Sequence, residues 1–154
     1  MEPKYYFFWQ TGTPLTNWHM QEFEHKDIKF NCSEQAMMYE KAMLFADFET
    51  ADLILKAESP KDQKALGRKV KSFDESTWDR LKYKIVKDIL RSKFTTIESN
   101  RDFLRSLKRT TIVESSPYDR VWGIGYRKED AIDNIHNWGE NLLGKILTEL
   151  SNEL

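Results

Sequence analysis

Cysteine is nearly absent: Cys32 stands alone among 154 residues. It has no intramolecular disulfide partner, which excludes the stapled secreted scaffolds and leads us to expect a reducing, cytoplasmic setting. Glycine (6) and proline (4) are scarce, too few for the many turns of a β-sandwich or barrel. No apolar run reaches the roughly 18 residues that a membrane-spanning helix needs. The first ten residues carry Glu2 and Lys4 around aromatic side chains, unlike the basic start and apolar centre of a secretion signal. Charge of one sign is missing too. Lys+Arg 24 against Asp+Glu 25 leaves a net charge of -1, so nothing global draws the chain onto nucleic acid or an anionic membrane, although a local basic pocket fits this balance.

Several chemistries fail for want of residues. His19, His25 and His136 show no metal-ligand spacing, and one cysteine cannot build a Cys-His zinc site, so no metal and no cofactor is expected. Cys32 has no sequence-evident His partner and reads as a packed thiol. There is no nucleophile-elbow serine and no phosphate-loop lysine, and Gly123-Ile124-Gly125 runs into Tyr126, Arg127 and Lys128 rather than a dinucleotide fingerprint.

What is present describes one globular domain over residues 1–154, with 40% hydrophobic and 32% charged residues. The apolar spacing is mostly helical, giving a mainly α-helical α+β fold. Short strands are expected at 5–9 and from Glu22-Phe23 through Ile28-Lys29-Phe30, around a loop with Gly12, Pro14 and Asn17. Helices are expected at about 33–46 with Ser33 as N-cap, 48–57, 60–70 behind Ser59-Pro60, and 75–94 on a stripe of Trp78, Leu81, Ile85, Ile89 and Phe94. A shorter one, capped by Asn100, should reach about 108. The β-branched run at 110–114 reads as a strand feeding a polar loop at 115–126, and a helix at about 140–150 closes the chain.

Three groups of residues carry candidate chemistry. Glu34 and Lys41 are seven residues apart, two turns along one helix face, with Met38 and Ala42 close by. Charge beside apolar surface is costly unless it has a partner or a task. The plain alternative is a helix-start carboxylate and a snorkelling lysine. The stretch from Glu114 to Gly125, holding Asp119, Trp122 and Gly123, offers two carboxylates, an indole face for a base or sugar, and glycines that admit backbone close to a ligand. An Asp-stabilised turn with a core tryptophan accounts for it equally well. Ser59-Pro60 with Arg68, and separately Lys93, supply cations suited to phosphate, or merely solvated ones.

The order Thr16-Asn17-Trp18, Ser33-Glu34-Gln35 with Lys41, Ser59-Pro60 with Gly67-Arg68, Trp78, Lys93-Phe94, Val113-Glu114 with Pro117 and Asp119, Trp122-Gly123-Ile124-Gly125, Trp138-Gly139 and Asn141-Leu142-Leu143-Gly144 resembles the NADAR family, which includes the YbiA-type N-glycosidases. The likeness spans nearly the whole chain. It departs at Thr16-Asn17-Trp18, where Ser-Asn-Phe is usual, and in the short charged segment between Gly125 and Trp138. The resemblance implies a compact, mostly helical domain that hydrolyses a ribose C1′–N bond without a metal or redox cofactor. It implies Glu34, Lys41 and Asp119 as catalytic residues and Asn17, Arg68, Trp78, Lys93, Glu114, Trp122 and Gly123 as substrate-binding ones. Trp122 and Trp78 would face base or ribose, and Arg68 and Lys93 the phosphates. Expected substrates are ADP-ribose on guanine, free or in DNA, and phosphoribosylamino-pyrimidine intermediates of riboflavin synthesis. A reader domain that binds ADP-ribose or NAD without turnover would have no chemical need for Glu34, Lys41 and Asp119 together. One tension stands: an ionised Glu34 favours the charged form of Lys41, whereas a nucleophile must be neutral.

Overall fold

The computed structural model describes residues 4–154. It is mainly helical with a few short strands, as expected. Packing divides the chain into two units, Met1–Thr16 with Glu98–Leu154, and Asn17–Ile97.

In the unit Asn17–Ile97, strands β2 (Phe23–His25) and β3 (Ile28–Phe30) form an antiparallel hairpin. Its two-residue turn places Lys26 and Asp27 at φ 51 and 66, the left-handed pair that matches the twist of a tight hairpin. Helices α1 (Ser33–Leu44), α2 (Phe48–Lys56), α3 (Pro60–Gly67) and α4 (Glu75–Thr96) follow. Helix α1 packs against α2, α3 and α4, which is why seven of its twelve residues are buried, charged Glu34 included. Asp47, Ser59 and Asp74 cap the next three helices through side-chain oxygens. The stripe on α4 is shifted from the one expected: Trp78, Ile89 and Phe94 are buried, Leu81 and Ile85 are only half-buried, and Val86, Leu90 and Lys93 are buried beside them.

In the other unit, β1 (Tyr5–Phe8) and β4 (Thr111–Glu114) pair in parallel with Phe8 opposite Glu114. Helix α7 (Leu142–Glu153) packs on β4 and on α5 (Glu98–Ser106). Gly144 is required there, since a Cβ would collide with the Ile112 carbonyl and the Asn141 amide. A small cluster of Val113, Ile124 and Ala131 is faced by Tyr5, Phe7, Tyr126 and Trp138.

One expectation is corrected: Asn100 does not cap α5 but lies inside it, buried. The charged segment before Trp138 forms a four-residue helix α6 (Lys128–Ala131) and a 3-10 turn (Ile132–Asn137), held by Trp138 Nε1 donating to the Ala131 carbonyl at 2.8 Å. No helix among the described residues is long and apolar enough to cross a membrane.

Candidate active site

Helix α1 begins in a buried polar network. Its N-cap is Cys32, not Ser33, and Cys32 makes no side-chain cap. Ser33 is occupied elsewhere: its hydroxyl donates to Asn17 Oδ1 at 2.9 Å and accepts from Lys93 Nζ at 3.2 Å. The Asn17 carbonyl in turn accepts from the Glu34 amide at 2.9 Å. Trp18 Nε1 donates to Glu34 Oε1 at 3.3 Å. Asn17, Ser33 and Lys93 thus fix where Glu34 starts and Trp18 fixes where its carboxylate points. Gln35 serves α2 instead. Its Nε2 reaches the carbonyls of Ile54, Leu55 and Ala57 at 3.0–3.3 Å, satisfying acceptors that a helix C-terminus leaves open. Cys32 is buried and its thiol is pushed up to about 11 by that burial, so it is a packed, unreactive thiol.

Lys41 projects from the same α1 face as Glu34, as the spacing requires. Its ammonium lies 4.6 Å from the Phe73 ring centroid and 5.9 Å from that of Trp78, within cation–π range. Burial lowers its pKa from the ordinary lysine value, and the neighbouring Arg68 lowers it further, against the opposing pull of Glu34. Desolvation outweighs the carboxylate, so the net shift is downward. Arg68 follows Gly67 at the end of α3, where a Cβ would run into the side chain of Met38. Trp78 is buried with only 8% of its surface exposed. It forms a wall beside Lys41 more than an open stacking face.

Lys93 differs from its expected placement. It is fully buried, and burial pushes its pKa down to about 7. A phosphate on the surface does not meet such a side chain, and its ammonium donates to the Ser33 hydroxyl at 3.2 Å. The structure gives it a supporting place under the start of α1.

Glu114, Asp119, Trp122 and Gly123 all fall in the other unit. Glu114 ends β4, and its amide donates to Asn141 Oδ1 at 3.0 Å. Asn141, in the left-handed region at φ 51, also donates from Nδ2 to the Ile112 carbonyl. Asp119 Oδ1 accepts from the amides of Val121 and Trp122, each at 2.9 Å, closing an Asx turn. The loop is then stitched by backbone bonds, from Asn141 to the Gly123 carbonyl and from Leu143 to that of Trp122, both 3.1 Å. At Gly123 a Cβ would sit 2.9 Å from the Glu114 carbonyl and 3.3 Å from its carboxylate. The glycine permits this close approach. Trp122 is half-buried.

Sequence reasoning missed Trp18 and Phe73 as parts of the site. Trp18 was visible only as a departure from a pattern, and Phe73 lies in a loop where periodicity carries no signal.

The NADAR domain model matches residues 6–154. The chain belongs to the NADAR family. Over 126 residues it is 40% identical to an N-glycosidase of Acanthamoeba polyphaga mimivirus, covering 79% of this chain and 72% of that one. Protein irg-1 of Caenorhabditis elegans is 37% identical over 137 residues, 86% of this chain and 65% of irg-1. The solution structure of Escherichia coli YbiA superposes with a TM-score of 0.80 at 23% identity, covering 99% of this chain and 86% of that one. The YbiA likeness shows the fold alone.

Proposed function

We propose that this protein is an N-glycosidase that hydrolyses the bond between ribose C1′ and the nitrogen of a base, with ADP-ribosylated guanine as its substrate. The observation that carries the reading is the pairing of a positioned carboxylate with a lysine of lowered pKa on one helix face, Glu34 and Lys41. A family member named N-glycosidase at 40% identity supports the reaction class. A protein that merely held ADP-ribose would not gain from desolvating a lysine beside a carboxylate.

Cleaving this bond requires a proton on the departing nitrogen and stabilisation of charge developing at C1′. Glu34 is the proton donor to the nitrogen. The ribose ring opens as C1′–O4′ breaks, O4′ taking the proton of the Lys41 ammonium and C1′ becoming doubly bonded to the base nitrogen; the Lys41 amine so freed adds to C1′, its surplus proton passes through the Glu34 carboxylate to the base nitrogen, the C1′–N bond to the base breaks to leave an imine on Lys41, and water hydrolyses that imine to the sugar aldehyde and the lysine amine. Arg68 faces a phosphate. The family resemblance assigns Glu114, Trp122 and Gly123, which lie in the other unit, to substrate binding. Because Asp119 Oδ1 is committed to two amides, its catalytic contribution runs through Oδ2.

The test is a side-by-side turnover assay with ADP-ribosylated guanine, as nucleotide and within DNA, against a phosphoribosylamino-pyrimidine. Release of guanine at a kcat/KM well above that of the pyrimidine substrate supports the reading. Preference for the pyrimidine would move the protein to riboflavin-intermediate hydrolysis with the same residues in the same roles. Stoichiometric ADP-ribose binding with turnover of neither would leave a reader domain.

A further inference from the structure

The loop that joins α3 to α4 sets one large side chain against Lys41 and leaves it partly in water. Phe73 is 42% exposed, so burial alone gives it little reason to stay where it is. Its ring nevertheless has a fixed seat. The Phe45 ring, just past the end of α1, meets it in a T-shaped contact with centroids 5.3 Å apart. On either side the chain is tied down: the Lys71 amide donates to Asp47 Oδ2 at 2.9 Å, and Asp74 accepts from the Thr77 amide at 3.0 Å to cap α4. Between these ties Ser72 takes the left-handed φ of 61, a conformation that residues other than glycine adopt at a cost. This path leaves the Phe73 ring centroid 4.6 Å from the Lys41 ammonium. The Trp78 ring is at 5.9 Å, but Trp78 is buried and serves the core whatever Lys41 does.

We infer that Phe73 is a positioning residue for Lys41: its ring holds the side chain while it is an ammonium and loses its hold once the proton has gone. The negative face of an aromatic ring attracts a cation and has no comparable attraction for a neutral amine. The charged groups acting on Lys41 are Glu34 on its own helix, which favours the ammonium, and Arg68 at the end of α3, which opposes it. Helix α4 contributes the Trp78 indole, and burial opposes the charge. Phe73 and Glu34 therefore act together on the side of the ammonium. The inference rests on the proposed reaction, in which Lys41 first gives its proton to O4′ and then adds to C1′ as the freed amine. Those steps make different demands on one nitrogen. The ammonium must be populated and held in place at the start, and the amine must then be free to move. A ring contact meets both demands, because the proton transfer itself switches it off. A carboxylate in place of the ring would hold the ammonium too firmly to give up its proton.

The experiment is competitive labelling of the lysines of the full chain with acetic anhydride across a range of pH, read on the Lys41 peptide by mass. It compares wild type, Phe73→Leu and the protein carrying pentafluorophenylalanine at position 73. Leucine keeps apolar bulk without a ring, and the fluorinated ring keeps the shape while reversing the sign of its face. The exposed Lys29 is the internal reference, and circular dichroism verifies that the variants fold. A change of access scales the labelling rate at every pH, whereas a change of proton affinity moves the midpoint. Both variants are expected to move the Lys41 midpoint to lower pH, enough to raise the neutral-amine fraction at neutral pH about two- to fivefold. The fluorinated ring should move it at least as far as leucine. The alkaline limb of kcat/KM on ADP-ribosylated guanine should move with the midpoint, whereas a merely structural role for Phe73 would lower the rate at every pH alike. A midpoint that stays or rises in either variant overturns the inference. Because labelling needs no turnover, a protein whose midpoint moves but which cleaves nothing would sink the proposed function alone. One that releases guanine while both variants keep the wild-type midpoint would sink the role of Phe73 alone.

Discussion

The two carboxylates that the sequence brings forward are held in opposite ways. Glu34 is positioned by side chains: Trp18 holds its carboxylate, and Asn17, Ser33 and Lys93 hold the helix start beneath it. Glu114 is positioned by backbone, at a strand end clamped by Asn141 and by a loop whose carbonyls meet the amides that open α7. A region built from side chains is tuned by substitution and fails gradually. One built from close backbone approach tolerates most side-chain changes and fails where a glycine is lost.

The sharpest break in that comparison is at Lys41. Lys41→Arg keeps charge and reach but cannot form an imine, so turnover should fall by about 10³-fold or more while the melting temperature stays near wild type. Borohydride added during turnover of the wild type should place an adduct on the Lys41 peptide, read by mass.

Next come the two close-approach glycines. At Gly123 a methyl meets the carbonyl oxygens of Glu114 and Asp119, which cannot move without breaking the loop. Gly123→Ala should lose about 1–3 kcal/mol in denaturant unfolding. At Gly67 the methyl meets the flexible Met38 side chain, and Gly67→Ala should cost less. Equal losses would erase the distinction between the regions.

The buried lysine sets a pH dependence. The folded pKa of Lys93 is near 7 against 10.5 for the ordinary group, so between these values the unfolded chain binds more protons. Stability therefore rises with pH across this window, by up to about 1.4 kcal/mol per unit, and the contribution is flat below about pH 7, where both states are protonated. Lys93→Met should remove that slope in urea titrations between pH 7 and 10. A persistent slope would show that another group is responsible.

The smallest effect is at the departure from the family pattern. Trp18→Phe removes the donor to Glu34 Oε1 and leaves an aromatic ring in place. Loss of one such bond, about 1 kcal/mol, predicts a roughly fivefold fall in kcat with the fold intact.

Helix α1 and its Glu34–Lys41 face were legible in the sequence because a seven-residue separation dictates a shared face whatever packs around it. The capped start at Ser59 was legible for a similarly local reason, whereas the Asp74 cap of α4 was not read. Three things were not. Ser33 looked like a cap because serine usually is one, and only the long-range contacts with Asn17 and Lys93 show its hydroxyl occupied. Lys93 looked like a surface cation because lysine is seldom buried, and its depth depends on which face of α4 turns inward. The 128–137 segment lacked periodicity long enough to register, being one helical turn and a kinked 3-10 turn with Asn134 at φ -119, ψ 23. Asp119 shows both faces of the problem: its turn was foreseen, but residue type alone could not divide its two oxygens between structure and chemistry.

The central claim is that the side-chain-built site around Glu34 breaks the bond. Its most direct test is Glu34→Gln assayed on ADP-ribosylated guanine, with unfolding monitored in parallel. Glutamine keeps the shape and can still accept from Trp18 through its amide oxygen, but it cannot deliver a proton to the departing nitrogen. The account predicts a folded protein whose guanine release falls by about 10²–10⁴-fold. A folded Glu34→Gln that releases guanine at near the wild-type rate would contradict it and leave Glu34 as a helix-start carboxylate.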